Sequence, residues 1–140
     1  MVGIFGGVLV VLLLITVVLP GGTAPFSGGS FTKVERSMQA KGLHICHTVD
    51  RKPGVAEGSL ESRRYDVAFD CQNDIPVHVL VNRYEHRDDR DSALHNLETL
   101  IRPDDGSSYS YGRFSILVTG RPDDKAQQQI DRVLRSIGAK

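Results

Sequence analysis

The chain begins with a continuous apolar segment, residues 2–19, that contains no charged side chain. At about 1.5 Å per residue, a helix over this segment would be roughly 27 Å long, close to the thickness of the hydrocarbon core of a bilayer. A buried helix of a water-soluble domain normally has a polar face, whereas this segment offers only Thr16 and three glycines. We therefore predict a single-pass transmembrane anchor over residues 1–19 that contacts the lipid bilayer through residues 2–19.

A cleaved signal peptide is the alternative interpretation of the same segment. Signal peptides usually carry Lys or Arg before the apolar run and end in a small-x-small cleavage site. The first basic residue of this chain is Lys33, and the clearest small-residue site, at Ala24, is followed directly by Pro25. These features favour an uncleaved anchor.

Two sequence features give opposite indications of the side of the membrane on which the rest of the chain lies. The basic residues Lys33, Arg36 and Lys41 follow the apolar segment, which favours the cytoplasm under the positive-inside rule. Cys46 and Cys71 are the only cysteines, and an even number in an anchored domain favours one disulfide and an oxidising compartment. We predict an extracytoplasmic domain with a Cys46–Cys71 disulfide; two buried free thiols are the alternative.

Charge and length limit the classes of function. The 17 basic and 17 acidic residues cancel, and all of them follow residue 32. Such a neutral domain lacks the basic surface that nucleic acids or anionic lipids require. Residues 20–31 are rich in Gly, Pro and Ser and are typical of a flexible tether. The remaining residues, 32–140, suffice for one hydrophobic core and are too few for two domains.

Hydrophobic periodicity predicts an α+β domain. Alternating or continuous apolar runs indicate strands over 43–49, 65–71, 75–84 and 109–119, and residues 50–62 are typical of an exposed loop. Apolar residues spaced three and four apart, with capping signals, indicate helices over 32–41, 88–102 and 121–137. The order α-β-β-β-α-β-α predicts a four-stranded, mainly antiparallel sheet with helices packed on one face, ferredoxin-like in style.

Two segments share a weak internal similarity. Residues 79–101 and 116–138 each contain a strand, a turn, an Asp-Asp pair and spaced Leu or Ile residues. This pattern resembles the β-α units of SPOR-type peptidoglycan-binding domains over about a third of the chain, which implies a cell-wall ligand. Two independent β-α units account for the same pattern.

Cysteine and histidine residues provide the candidates for metal or thiol chemistry. The candidate ligands are His44, Cys46, Cys71 and His78, although no CxxC or HxxxH spacing is present and zinc requires three or four convergent ligands. Cys46 is also a candidate thiol nucleophile, but the adjacent His47 would point to the opposite face of a strand. A disulfide with ordinary strand histidines is the simpler interpretation, so we predict no metal and no cofactor.

An aromatic surface is the remaining candidate site. Tyr109, Tyr111 and Arg113 alternate along one predicted strand, and they would form an exposed interaction surface if the helices covered the opposite face. The sequence contains no glycine-rich phosphate loop, GxSxG or HExxH motif. We therefore predict a non-enzymatic interaction module, an accessory subunit that binds another membrane or envelope protein. The alternatives are an exported module that binds a cell-wall polymer or small ligand, and a thiol or metal protein that uses Cys46 and Cys71.

Overall fold

The computed structural model describes residues 28–102, 104–121 and 123–140. In chain order the elements are α1 (Phe31–Ala40), β1 (His44–Arg51), β2 (Ser59–Ala68), β3 (Val77–Tyr84), α2 (Arg87–Leu100), β4 (Gly106–Tyr111), β5 (Phe114–Thr119) and α3 (Lys125–Ser136). The predicted anchor over 1–19 lies outside the described residues, as does most of the tether. Within the described part of the chain, no helix combines the length and apolarity needed to cross a membrane.

The five strands form one antiparallel sheet in the order β1-β2-β3-β5-β4. The α+β class is confirmed, but the prediction of four strands was wrong. Residues 109–119 do not form one strand, because Gly112 adopts a φ of +52° and begins a two-residue turn between Tyr111 and Phe114. A glycine at the first central position allows this tight hairpin turn. The predicted loop over 50–62 also contains the first residues of β2, which begins at Ser59.

Helices α1 and α3 cover one face of the sheet. Cross-strand pairing places Tyr65 beside Val79, Val79 beside Val118, and Val81 beside Ile116, so their side chains share that face. The helices contribute buried apolar residues opposite them: Val34, Met38, Ala126, Ile130, Val133 and Leu134. Because α3 has its apolar residues at helical spacing, burying that stripe against the sheet provides the main core.

Helix α2 packs across β3, β4 and β5 on the opposite face. The register places Asn82 and Ser115 side by side on that face, and both are buried, as is Tyr84. The prediction that all helices pack on one face was therefore wrong. Helix α2 contains no fully buried side chain, so its apolar stripe is only partly covered by the sheet. The apolar stripe in the sequence did not indicate on which face of the sheet this helix packs.

The chain enters the domain beside the β4–β5 turn. The Gly28 carbonyl oxygen accepts a hydrogen bond of 3.1 Å from the Arg113 amide. Ser30 then caps α1, because its hydroxyl accepts from the Lys33 amide at 3.0 Å. The N-cap residue of α1 is thus Ser30, two residues before the predicted N-cap Thr32. Phe31 is therefore the first residue of the helix, and its ring packs edge-on against that of Phe114, with 5.0 Å between the ring centroids.

Candidate functional site

Strands β1, β2 and β3 leave an apolar groove on the face of the sheet that α1 and α3 do not cover. We use "the groove" for this depression of about 390 Å³, which is lined by Val49, Arg51, Val55, Ser62, Arg64 and Leu80. Its size falls within the range of ligand-binding pockets. Val55 is 54 % exposed, so its side chain is accessible to a ligand at the edge of the groove.

A buried polar network holds the wall of the groove in place. The Val55 amide donates to Ser62 Oγ at 2.9 Å, and the Ser62 hydroxyl donates to Asn82 Oδ1 at 2.5 Å. Asn82 Nδ2 in turn donates to Ser115 Oγ at 3.3 Å. Because buried polar groups are costly unless they are paired, this chain of bonds across β2, β3 and β5 positions the loop that carries Val55.

Tyr84 completes the network on the side of α2. Its hydroxyl lies 3.2 Å from Ser115 Oγ. Burial raises the pKa of Tyr84, the hydrogen bond with Ser115 opposes that change, and the nearby Asp89 carboxylate adds to it. Tyr84 therefore remains a neutral structural partner, and the network has no ionised group that could act as a base.

A second depression of about 610 Å³ lies between α2 and the loop that follows β1. The loop contributes Ala56, Glu57 and Gly58, and α2 contributes Ala93, Leu97 and Leu100 among others. Leu100 is 80 % exposed. Since the same loop supplies Val55 to the groove, the two depressions are neighbours and together form a discontinuous apolar surface.

Two arginines give the rim of the groove a positive charge. Arg51 is exposed at the end of the edge strand β1. Arg64 lies on β2 with 49 % of its side chain exposed, and its Nε atom is 3.6 Å from Asp66 Oδ1. A partly paired arginine thus lies beside an exposed one at the edge of an apolar floor, and guanidinium groups have the geometry and charge to pair with carboxylates.

The predicted disulfide is present. Cys46 and Cys71 are bonded with a Cα–Cα distance of 5.5 Å, and the structure contains no other cysteine pair because the chain has only these two. Neither sulfur is therefore a thiolate available for nucleophilic attack or metal binding. His44 begins β1 and is exposed, while His78 lies on β3 and contacts Asp66. Among the described residues, no group of three or more His, Cys, Asp or Glu side chains could hold a metal ion.

The predicted aromatic surface is in fact part of the core. Tyr109 and Tyr111 are 6 % and 7 % exposed, because they lie on the face that α1 and α3 cover. Burial raises the pKa of both tyrosines, and for Tyr109 the hydrogen bond to the Asp131 carboxylate raises it further. Arg113 lies in the β4–β5 turn and not on a strand. These three residues thus do not form an open aromatic platform.

Sequence reasoning missed the groove because it assigned residues 50–62 to a solvated loop. One signal was available: Asn82 directly follows the apolar run Val-Leu-Val at 79–81 in a segment predicted to be a central strand. A polar residue at such a position requires buried partners, and Ser62 and Ser115 provide them. The groove itself depends on how the loop folds over β2, which hydrophobic periodicity does not determine.

Comparisons with known proteins give no assignment. No family model matches the chain, and neither the curated proteins nor the solved structures contain a match. The two β-α units are present as β3-α2 and β5-α3, but no family match accompanies them.

Proposed function

We propose that the α+β domain is an extracytoplasmic protein-binding module whose groove accepts an extended segment of a partner protein. The segment would present apolar side chains to Val49, Val55 and Leu80 and carboxylates to Arg51 and Arg64. The observation that carries the proposal is the juxtaposition of two rim arginines with an apolar floor in which Val55 is exposed and Val49 and Leu80 are half-buried. Pockets for alternate side chains are what give specificity for an extended peptide.

Three further observations support a binding role. The loop that forms the groove is held by buried hydrogen bonds, so the surface is preorganised and loses little entropy when it binds. The second depression beside α2 extends the apolar area. The groove is also next to the edge strand β1, so a partner chain can approach without displacing a helix.

The disulfide supports the extracytoplasmic location. Disulfides persist mainly in oxidising compartments, and Cys46 and Cys71 are both exposed, so reductants of the cytosol would reach them. Attachment to the membrane through residues 2–19 remains a sequence-based prediction and completes the proposal of an accessory subunit. Labelling intact cells with an impermeant maleimide, before and after external reduction, tests this location. Labelling that requires lysis but no reductant would contradict it.

A defined peptide tests the groove directly. The probe is a fluorescein-labelled nonapeptide that alternates valine and aspartate, and its comparison peptide replaces every aspartate with lysine. Fluorescence anisotropy with the full chain in detergent micelles measures both affinities. We expect saturable binding of the aspartate peptide, weaker binding of the lysine peptide, and amide chemical-shift changes at Val49, Val55 and Leu80.

Charge reversal provides the matched control. Arg51→Glu should weaken binding of the aspartate peptide about tenfold, because it places a negative charge where the peptide carboxylates bind. Arg36→Glu makes the same change on the exposed side of α1, across the sheet, and should leave the affinity unchanged. Equal binding of the two peptides, or equal effects of the two substitutions, would overturn the proposal.

A further inference from the structure

A row of three titratable side chains crosses the sheet beside the groove. The register pairs His47 with Asp66 and Asp66 with His78, so the three side chains lie side by side on β1, β2 and β3. His78 Nδ1 is 2.7 Å from Asp66 Oδ1, and His47 Nδ1 is 3.6 Å from Asp66 Oδ2. We call these three residues the histidine row.

The histidine row is open to solvent at the histidines and closed at the carboxylate. The side chains of His47 and His78 are 63 % and 51 % exposed, whereas that of Asp66 is 16 % exposed. Both imidazoles are therefore open to bulk water while they lie within reach of the same carboxylate. Histidine is the side chain that changes charge in the physiological pH range.

Asp66 connects the histidine row to the groove. Its Oδ1 atom, which contacts His78, also lies 3.6 Å from Arg64 Nε, and Arg64 lines the groove. His44 at the start of β1 interacts with Asp70, and Arg51 lies at the far end of the groove. On the same face, α2 packs against β3 and brings the charged residues of its first turns, which are Arg87, Asp88, Asp89, Arg90 and Asp91. Strand β5 contributes the uncharged Thr119 beside His78. The groove arginine and the two histidines thus share one carboxylate.

We propose that protonation of His47 and His78 strengthens the binding of a carboxylate-bearing segment in the groove, so that the module binds its partner more tightly as the pH falls. The inference rests on the proposed function of the groove. When the histidines are neutral, Asp66 offsets the charge of Arg64. When they are protonated, Asp66 is balanced by two imidazolium groups and the positive charge of Arg64 acts on the ligand without compensation.

The same aspartate peptide measures this effect. Its carboxylates remain ionised at pH 6.0 and at pH 7.5 because the ordinary pKa of aspartate is about 3.9. A rhodamine label replaces fluorescein in this experiment, because fluorescein changes its own charge in this pH range, and then only the protein changes charge. We expect the full chain to bind the peptide about fivefold more tightly at pH 6.0 than at pH 7.5 at low ionic strength. High salt should reduce the difference, since the two histidine side chains are exposed.

Removal of the histidines identifies the groups responsible. The double substitution His47→Gln/His78→Gln should abolish the pH difference while leaving the effect of Arg51→Glu intact. The matched control, His86→Gln/His95→Gln, removes two exposed histidines near and on α2 and should keep the full pH difference.

The outcomes separate the two proposals. Binding that depends on Arg51 but is equal at both pH values would overturn the histidine row alone. So would an unchanged pH difference in His47→Gln/His78→Gln. No preference for the aspartate peptide at either pH would instead overturn the function of the groove.

Discussion

The phenolic hydroxyl of Tyr109 on β4 donates a hydrogen bond of 2.6 Å to Asp131 Oδ1 on α3. The tyrosine ring is buried and the carboxylate lies at the margin of the core. The bond therefore joins the edge strand β4 to the helix that packs on β5. A short bond to an ionised acceptor is stronger than one between neutral groups, so this pair fixes the position of α3 along the sheet.

Tyr109→Phe should destabilise the domain by about 1–2 kcal/mol, because the bond to a charged acceptor is lost while the ring still fills its place. Asp131→Asn retains an acceptor oxygen and should cost less. Urea unfolding followed by circular dichroism measures both. Equal stability of wild type and Tyr109→Phe would show that the bond makes no net contribution.

Alkaline pH should destabilise the fold. Burial raises the pKa of all four tyrosines of the chain: Tyr65, Tyr84, Tyr109 and Tyr111. In the unfolded chain tyrosine ionises near pH 10. Above that pH the unfolded state releases protons that the folded state retains, so stability is fully present below about pH 10 and declines as the pH rises through the folded-state pKa values.

A spectroscopic titration measures that decline. Phenolate absorbance near 295 nm and far-ultraviolet circular dichroism are recorded together as the pH is raised. We expect the phenolate signal to appear at a pH above 10, and to appear together with loss of secondary structure. If all four tyrosines ionise near pH 10 while the fold stays intact, the conclusion that their side chains are buried is wrong.

Loss of the disulfide should lower the free energy of unfolding by about 3–4 kcal/mol in the chain-entropy model, because the bridge spans 25 residues of sequence. The measurement compares urea unfolding with and without dithiothreitol. Cys46→Ala/Cys71→Ala serves as the control, since reductant should not change its stability. A wild-type midpoint that does not respond to reductant would argue against a stabilising bridge.

Gly112→Ala should destabilise the domain by about 1–3 kcal/mol or more through strain and collision. Its φ is +52°, and an added Cβ would lie 1.6 Å from the Gly28 carbonyl oxygen. Gly42→Ala is the matched control, because Gly42 also has a positive φ, +80°, but no atom lies within 4 Å of the added Cβ. The difference in their unfolding free energies isolates the collision, and similar values would show that residue 28 moves aside without cost.

Local patterns predicted much of the sheet. The alternation of Tyr65 and Val67 and the apolar run around Val79 identified two strands, since a half-buried strand requires period two and a central strand is apolar on both faces. The two cysteines predicted the disulfide for a similarly local reason: their number was even, and no metal-ligand spacing competed with that interpretation. These features depend on residues close together in sequence.

Features that depend on distant partners were not predictable. The β4–β5 hairpin is an exception, because Gly112 was a local turn signal that the prediction of one strand over 109–119 overlooked. The tyrosines of β4 alternate equally well for an open face or a buried one. The face was decided by α1 and α3, whose packing is set by tertiary contacts. The candidate groove depends on the conformation of the loop after β1, which hydrogen bonds to Ser62 and from Ser62 to Asn82 hold in place.

The irregularity at Cys46 also affects how the folded domain behaves in concentrated solution. The register of β1 shifts between Ile45 and His47, so Cys46 is an extra residue on an edge strand, and its bond to Cys71 holds it in place. A regular edge strand is a template for the strands of other molecules, and a bulge interrupts that template. The oxidised domain is thereby protected against edge-to-edge aggregation at β1, the edge strand beside its candidate binding groove.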